Sequence, residues 1–267
     1  MVRSINRNRG QTTIATRSAI LYALSYPRIR ISTTPRRARI AVPGIPPWHI
    51  IQRGNNCSAC FYAEEDYHRY IDTLSDMSPR FDCQIHAYVL MTNHVHLLLT
   101  PAHKDSASLL MKHLGQRYVQ YVNRQYRRSG TPWEGRFRSC LAQRDGYVLT
   151  CHRYIELNPL RAGMVVHPRD YRWSSYRCNA EGKVNPLIRF HHEYKRLGTT
   201  AAERRAAYRQ LFSTHIDPEH IAEIRAATNG NYVLGNNRFN EEISRMLKRR
   251  VTKGKAGRPV RGNSDGR

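Results

Sequence analysis

Two apolar segments separated by only a few residues constrain the fold of this chain most strongly. Cys83–Leu90 and His94–Leu99 each have the length and residue types of a β-strand, and Thr92 and Asn93 form a tight turn between them. A connection this short permits only an antiparallel pairing of the two strands. The sequence therefore predicts a β-hairpin, ended by Pro101, around which the remaining elements pack.

Strands and helices alternate in a characteristic order on both sides of the hairpin. Along the chain, the predicted order is strand, helix, strand, strand, helix, strand, helix. The first six elements match the split βαβ pattern, which indicates an α+β, ferredoxin-like fold with an antiparallel sheet and helices on one face. The elements outside the hairpin are His49–Arg53, Glu64–Met77, Ser106–Tyr126, Phe137–Gln143 and Gly146–Leu157.

Prolines and one capping residue set the predicted helix ends. Pro79 is expected just beyond the end of the first helix. Asp145 is a candidate N-cap of the last helix, because its carboxylate can accept from the first backbone N–H groups. Asn158 precedes Pro159 and is expected to close that helix, since the residue before a proline disfavours helical backbone angles.

Composition divides the chain into four parts. Residues 1–47 are rich in Arg, Ser and Pro and contain no acidic residue, which predicts a flexible basic extension. This segment is an organelle transit peptide, a basic arm, or sequence upstream of the true start, and the last two are favoured. Residues 48–176 form the compact domain, 177–250 a helical extension and 251–267 a basic disordered tail. The helices expected in the extension are Thr200–Phe212, Pro218–Thr228 and Arg238–Arg250.

The charge of the chain indicates a polyanionic partner. Its 44 Lys and Arg residues against 20 Asp and Glu residues give a net charge of +24. Such an excess destabilises a compact chain by self-repulsion unless an anion neutralises it, and nucleic acid is the commonest such anion. The alternative is a soluble protein that is merely basic.

The six cysteines do not form a recognisable zinc site. Cys57 and Cys60 make one CxxC pair, whereas a structural zinc ion needs four ligands, usually supplied as two pairs. We see no secretory signal and no apolar run long enough to span a bilayer. The cysteines are therefore interpreted as reduced thiols in a cytoplasmic protein with no membrane partner.

Two histidines and a tyrosine are the residues most suited to chemistry. His94 and His96 are two apart on a strand, so their imidazoles lie on the same face and can bind one metal ion. Tyr154 and Asn158 are four apart on a helix and share a face, where they offer a nucleophile and an amide oxygen as a third ligand. The alternatives are a core aromatic residue for Tyr154 and a helix-capping residue for Asn158.

Four segments resemble one family. His86–Leu99, which contains the histidine pair, and Tyr154–Val165, which contains the tyrosine, resemble the two signature motifs of the IS200-like tyrosine transposases. Trp133–Phe137 and Trp173–Tyr176 also fit this family. The most similar branch consists of the transposases associated with repetitive extragenic palindromes (REP), and the resemblance extends roughly over Pro35–Arg261.

The resemblance implies a set of roles. Residues 48–176 become an HUH endonuclease domain, so called for its His-hydrophobic-His triplet. His94 and His96 become the metal ligands and Tyr154 the nucleophile. Asn158 becomes the third ligand, at a position where other branches carry Gln; it keeps an amide oxygen but has a shorter reach.

The implied reaction cuts and rejoins single-stranded DNA. A phenol, with a pKa of about 10, is a poor nucleophile at neutral pH. A divalent cation, Mg²⁺ or Mn²⁺, favours the phenolate and polarises the scissile phosphate. Attack by Tyr154 leaves a 5′-phosphotyrosyl link and a free 3′-hydroxyl. The implied substrate is a hairpin formed by a repeated palindrome, with a short recognition tetranucleotide near its foot.

Arginines near the predicted site are candidates for contacts with DNA phosphates. For each of them, a solvated surface position is the alternative. The tail segment Lys255–Arg261 resembles a minor-groove hook, in which an arginine lies in a narrow A·T groove. The candidate DNA-binding residues are Arg53, Arg117, Arg124, Arg136, Arg138 and Arg258.

Two other functions are compatible with parts of the sequence. A domesticated protein could bind such hairpins without productive cleavage, although pure binding requires neither the histidine pair nor Tyr154. Replication initiators and relaxases are also HUH enzymes, but they often carry a helicase domain, and this chain has no GxxxxGK phosphate loop. A homodimer is possible in either case.

Overall fold

A computed structural model describes residues 39–40, 42, 46–143 and 146–253 of the chain. Asp145, Arg258 and most of the predicted extension 1–47 lie outside these ranges, so the predictions made for them stay predictions. The strands are β1 (Trp48–Arg53), β2 (Cys83–Met91), β3 (His94–Pro101), β4 (Arg138–Ala142) and β5 (Val233–Leu234). The helices are α1 (Glu64–Arg80), α2 (Ser106–Gln125), α3 (Tyr147–Glu156), α4 (Asn158–Arg161), α5 (Tyr176–Glu181), α6 (His192–Lys195), α7 (Ala201–Gln210), α8 (Pro218–Gly230) and α9 (Asn237–Leu247), with short 3₁₀ turns at Asn55–Cys57 and Pro168–Asp170.

The five strands form one sheet in the order β2-β3-β1-β4-β5. Strand β3 pairs antiparallel with β2 and β1, and β1 pairs antiparallel with β4. These four strands confirm the predicted hairpin and the split βαβ arrangement. Strand β5 pairs with β4 in parallel, so the complete sheet is mixed where an antiparallel sheet was expected.

Helices cover both faces of this sheet, which differs from the expectation of one covered face. On one face, α1 and α2 pack against a core that includes Ile50 and Leu97. On the other face, α3 and α8 pack around Leu98, with Ile155 and Ile224 among the contacts. The physical reason is that the central strands are apolar on both sides, so each face has to be shielded from water.

One helix end differs from its predicted position, and another helix ends as predicted but is followed by a short helix that was not predicted. Helix α1 continues through Pro79 to Arg80, because a proline in the last turn removes only one backbone hydrogen bond. Helix α3 ends at Glu156, but α4 starts almost at once at Asn158. Pro159 then lies in the first turn of α4, where its missing N–H leaves no helical hydrogen bond unmade.

The C-terminal part of the chain contributes to the sheet as well as adding helices. The three predicted helices correspond to α7, α8 and α9, within a few residues of the expected bounds. Strand β5 lies between α8 and α9 and adds the fifth strand beside β4. Near the other end, Ile40 and Val42 are buried in the core below α1 and α2. In the described part of the chain, no helix is both long and apolar enough to cross a membrane.

Candidate active site

Alternate residues of the central strands bring polar side chains to the face of the sheet covered by α3. Directly opposed residues of an antiparallel pair share a face, and the register of β1 and β3 opposes Ile51 to His96. Leu98, two residues further along β3, packs in the core under α3, whereas Val95 belongs to the core on the opposite face. His94 and His96 therefore lie on the same side of the sheet as α3, as their spacing predicts.

The rings of His94, His96 and Tyr154 lie close together within a single chain. The ring centroids of His94 and His96 are 5.0 Å apart, and those of His96 and Tyr154 are 5.7 Å apart in an edge-to-face arrangement. A third imidazole, that of His49, stacks on His96 at 5.0 Å and lies 5.5 Å from the Tyr154 ring. The site therefore contains three histidines and one tyrosine, all buried.

Hydrogen bonds orient both imidazoles of the pair. Nδ1 of His94 lies 2.6 Å from Oδ1 of Asn93, whose amide nitrogen donates to the carbonyl of Cys57. This second bond fixes the amide so that its oxygen faces the ring, and Nδ1 of His94 is the donor. Nδ1 of His96 lies 2.8 Å from Nε2 of His49. Nε2 of His96 is buried and makes no hydrogen bond to any described residue.

The environment keeps the imidazoles neutral. Burial lowers the pKa of His49 to about 3, with a further contribution from the charge of Arg161. Burial likewise lowers the pKa of His94 to about 3, assisted by Arg53 and Arg161. The pKa of His96 falls well below its usual value, again mainly through burial. Neutral imidazoles are the form that binds metal ions, so the site is in a metal-competent state at pH 7.

The donor set fits a divalent cation. Asn158 is 1% exposed at the junction of α3 and α4, and its amide nitrogen is buried with no hydrogen-bond partner among the described residues. That nitrogen can only donate, so a cation would bind the lone pair on Nε2 of His96 and the amide oxygen of Asn158 rather than its nitrogen. In the described ranges, no group of three or more His, Cys, Asp or Glu side chains is arranged to hold a metal. A cation here would therefore need an amide oxygen, substrate or water as further ligands.

A cation of the protein itself lies over the tyrosine. The guanidinium carbon of Arg161 is 4.5 Å from the centre of the Tyr154 ring. Its Nη2 atom donates to the backbone carbonyl of Tyr154 at 2.5 Å, which holds the side chain across the α3–α4 junction. A positive charge in this position favours negative charge that develops on the phenol oxygen or on a bound phosphate.

His49 and Arg161 were not predicted as site residues from the sequence. Arg161 belongs to a motif that carries the family resemblance, but a spacing of seven residues from Tyr154 across a proline predicts no contact. His49 is in the first strand, and period-two alternation with Ile51 and Arg53 places all three on one face. This alternation was the only signal for His49, because the pairing partner of β1 is not fixed by the local sequence.

Three of the predicted DNA-binding arginines meet at the end of the sheet beside His94. A shallow cleft there is lined by the following residues: Ile51, Arg53, Glu134, Gly135, Arg136, Arg138 and Asn229. Arg53 is directly opposed to His94 in the register of β1 and β3. Arg138 donates to Asn229 at 3.0 Å and forms an ion pair with Glu134 at 3.4 Å, which hold its guanidinium at the cleft.

The other predicted arginines are placed elsewhere. Arg117 and Arg124 lie on α2, which packs on the face of the sheet opposite to the imidazoles. Arg117 is exposed and forms an ion pair with Asp76 at 3.2 Å. Arg258 lies outside the described residues. The structure thus brings Arg53, Arg136 and Arg138 together near the site and does not bring the two α2 arginines into it.

Part of this chain is similar to known proteins. Residues 47–158 match the sequence model of the family described as IS200-like transposases. A solved structure of a REP-associated tyrosine transposase bound to a REP hairpin is similar to this chain, with 17% sequence identity and a TM-score of 0.47. That similarity covers 60% of this chain and 92% of the other one. No curated protein sequence matches the chain. The matched region contains both histidines of the pair, Tyr154 and Asn158.

Proposed function

We propose that this protein is a metal-dependent transposase of the REP-associated branch that nicks and rejoins single-stranded DNA at palindromic hairpins. Tyr154 is the nucleophile, and His94, His96 and Asn158 hold the divalent cation, Mg²⁺ or Mn²⁺. The observation that carries the proposal is the 5.7 Å separation of the Tyr154 and His96 rings, beside an imidazole nitrogen with no partner among the described residues. The hairpin substrate rests on the resemblance of the motifs.

Tyr154 and Arg161 have different roles in the proposed reaction. The oxygen of Tyr154 forms a bond to phosphorus while the bond from phosphorus to the 3′-oxygen breaks, and that oxygen takes up a proton. Arg161 places a positive charge over the ring, where it opposes the build-up of negative charge during attack. The 5′-phosphotyrosyl link conserves the phosphodiester bond energy. A 3′-hydroxyl can therefore attack it later and release Tyr154 without ATP.

The histidine pair supports this step by staying neutral and correctly oriented. Nδ1 of each ring is engaged in a hydrogen bond, which makes Nε2 the nitrogen through which each ring would bind the cation. When bound, a divalent cation supplies charge neutralisation at the attacked phosphate and lowers the pKa of a nearby phenol. Since metal ligands must be deprotonated, the low pKa of His94 keeps it competent throughout the physiological pH range.

The arginines around the small cleft beside His94 offer a DNA strand a basic surface next to the site. Arg53, Arg136 and Arg138 present three guanidinium groups at the end of the sheet, and guanidinium groups bind phosphate with two parallel hydrogen bonds. The ion pair of Arg138 with Glu134 orients one of them before DNA binds. We propose that the single strand passes over these arginines on its way to Tyr154.

Substitution of the nucleophile tests the proposal. With Mn²⁺ and a labelled hairpin oligonucleotide that carries a single-stranded foot, the wild-type protein should form a detergent-resistant protein–DNA adduct. Tyr154→Phe should abolish this adduct and leave DNA affinity within about twofold, because only the attacking oxygen is removed. Tyr147→Phe is the matched control, since Tyr147 begins the same helix and is only partly buried; it should leave adduct formation unchanged.

Three outcomes would contradict the proposal. An adduct that persists in Tyr154→Phe would assign the nucleophile to another residue. An adduct formed equally well after chelation would remove the cation from the reaction. Tight hairpin binding by the wild-type protein without any adduct or cleavage in Mn²⁺ would favour the domesticated binding protein instead.

A further inference from the structure

Thr228, in the C-terminal part of the chain, contacts His49 of the candidate site. Thr228 lies near the end of α8 and is 3% exposed. Its hydroxyl oxygen is 3.0 Å from Nδ1 of His49 and 2.7 Å from the carbonyl oxygen of Ile224, one helical turn earlier. The thiol of Cys140 lies 3.2 Å from the same oxygen. These contacts connect α8 to β1 and β4 directly beneath the imidazole stack.

The hydroxyl has only one proton, and its contacts determine where that proton goes. The carbonyl of Ile224 can only accept, so the Thr228 hydroxyl must donate to it. The hydroxyl oxygen is then an acceptor toward Nδ1 of His49 and toward the Cys140 thiol. Consequently Nδ1 of His49 carries a proton.

The proton on Nδ1 of His49 also determines which nitrogen of His96 is protonated. A neutral imidazole with its proton on Nδ1 has a bare Nε2, so Nε2 of His49 accepts. Its partner at 2.8 Å, Nδ1 of His96, must therefore donate. Nε2 of His96 is then left with a free lone pair, and it is this atom that has no hydrogen-bond partner among the described residues.

We propose that Thr228 and His49 are positioning residues that hold His96 in the tautomer whose Nε2 can bind a cation. The inference rests on the proposed role of His96 as a metal ligand. It assigns the C-terminal segment a part in the site, because Thr228 lies well beyond residues 47–158 that match the family. A ligand histidine whose other nitrogen is fixed by a hydrogen bond binds metal more tightly, and loss of such a partner costs about 10–100-fold in affinity.

The tautomer can be read from the metal-free protein. With ¹⁵N-labelled histidine, the nitrogen chemical shifts of His96 at pH 7 should show a protonated Nδ1 and a bare Nε2, with the signal assigned by its loss in His96→Gln. Thr228→Val keeps the shape of the side chain but removes the acceptor for His49. It should give His96 a substantial population of the opposite tautomer and weaken Mn²⁺ binding by about 10–100-fold. Thr228→Ser should restore both properties.

A matched control separates this effect from general damage to a helix. Thr73 on α1 is also buried and makes the same bond from its hydroxyl to the carbonyl four residues earlier, Arg69, at 2.7 Å. Thr73→Val should therefore leave the His96 tautomer and the Mn²⁺ affinity unchanged.

The wild-type spectrum alone can overturn the inference, even if Thr228→Val does not fold. A protonated Nε2 on His96 in the metal-free protein would contradict it, and so would a tautomer that Thr228→Val leaves unaltered. Failure of the proposed function is distinguishable, since loss of the Tyr154 adduct would not change the protonation of His96 in the absence of metal.

Discussion

Gly54 closes the end of β1 against the turn of the β2–β3 hairpin. Its N–H donates to the carbonyl of Asn93 at 2.8 Å, and a Cβ atom at this position would lie 2.1 Å from the carbonyl oxygen of Ser58. The backbone of Asn93 and Ser58 cannot move aside without displacing the turn that holds His94. A residue without a side chain is therefore required where the chain leaves the sheet next to the site.

Gly54→Ala tests this close approach. The added methyl group should force the end of β1 away from the hairpin turn and lower the free energy of unfolding by about 1–3 kcal/mol. Chemical denaturation with far-UV circular dichroism measures the change. Gly115→Ala is the control, because a Cβ at Gly115 in α2 has no neighbour within 4 Å. Equal stability of Gly54→Ala and the wild-type protein would show that the turn adapts freely.

At the scale of whole elements, local patterns predicted the strands and helices but not their partners. The hairpin could be predicted because the connection between its strands is too short for any other pairing. Helix α3 could be predicted from its sequence, but the face that it covers depends on strands far away in the chain. Helix α8 was expected in an extension apart from the domain, and nothing local in Pro218–Gly230 indicates its contact with β4.

The buried ring of His86 on β2 contacts strand β3 and the segment that contains Arg189 and His191. Its Nδ1 lies 2.5 Å from the carbonyl of Arg189 and its Nε2 lies 2.9 Å from the hydroxyl of Thr100 on β3. The ring of His191 packs edge-on against it at 5.0 Å. Burial lowers the pKa of His86 to about 4, with the backbone bond from Arg189 opposing this and nearby positive charges adding to it.

This low pKa makes stability pH-dependent. Between pH 6.5 and about 4 the unfolded chain binds a proton at His86 and the folded chain does not, so stability falls as the pH falls through this range. From pH 7.5 to 4.5, the wild-type protein should lose about 2–3 kcal/mol more than His86→Gln does. Urea denaturation at both pH values measures the difference. His103→Gln, at an exposed position, should behave like the wild type; equal losses in His86→Gln and the wild type would contradict the assignment.

At the scale of the molecule, the proposed binding of DNA depends both on the net positive charge and on where the basic residues lie relative to the site. The net charge of +24 attracts any polyanion, but among the described residues Arg117 and Arg124 lie on the face of the sheet opposite to Tyr154. Composition predicts a polyanionic partner, because charge is independent of the fold. It could not distinguish Arg136, at the cleft beside His94, from Arg117, on the opposite face of the sheet, since this distinction requires the complete sheet.

The salt dependence of DNA binding separates these two arginines. Each phosphate contact to single-stranded DNA contributes about −0.7 to the slope of log affinity against log salt concentration. Arg136→Ala should reduce the magnitude of the slope by about that amount, whereas Arg117→Ala should leave it unchanged. Fluorescence anisotropy with a single-stranded oligonucleotide at several salt concentrations measures both. An equal reduction in the two variants would extend the DNA path to α2.

Detection of the covalent intermediate is the most direct test of the proposal that Tyr154 is the nucleophile. The wild-type protein is incubated with Mn²⁺ and a cleavable hairpin oligonucleotide, digested with nuclease and protease, and analysed by mass spectrometry. We expect a phosphonucleotide attached to the peptide that contains Tyr154, with the fragment ions placing it on that tyrosine. A phosphonucleotide on any other residue, or cleaved DNA with no modified peptide, would contradict it.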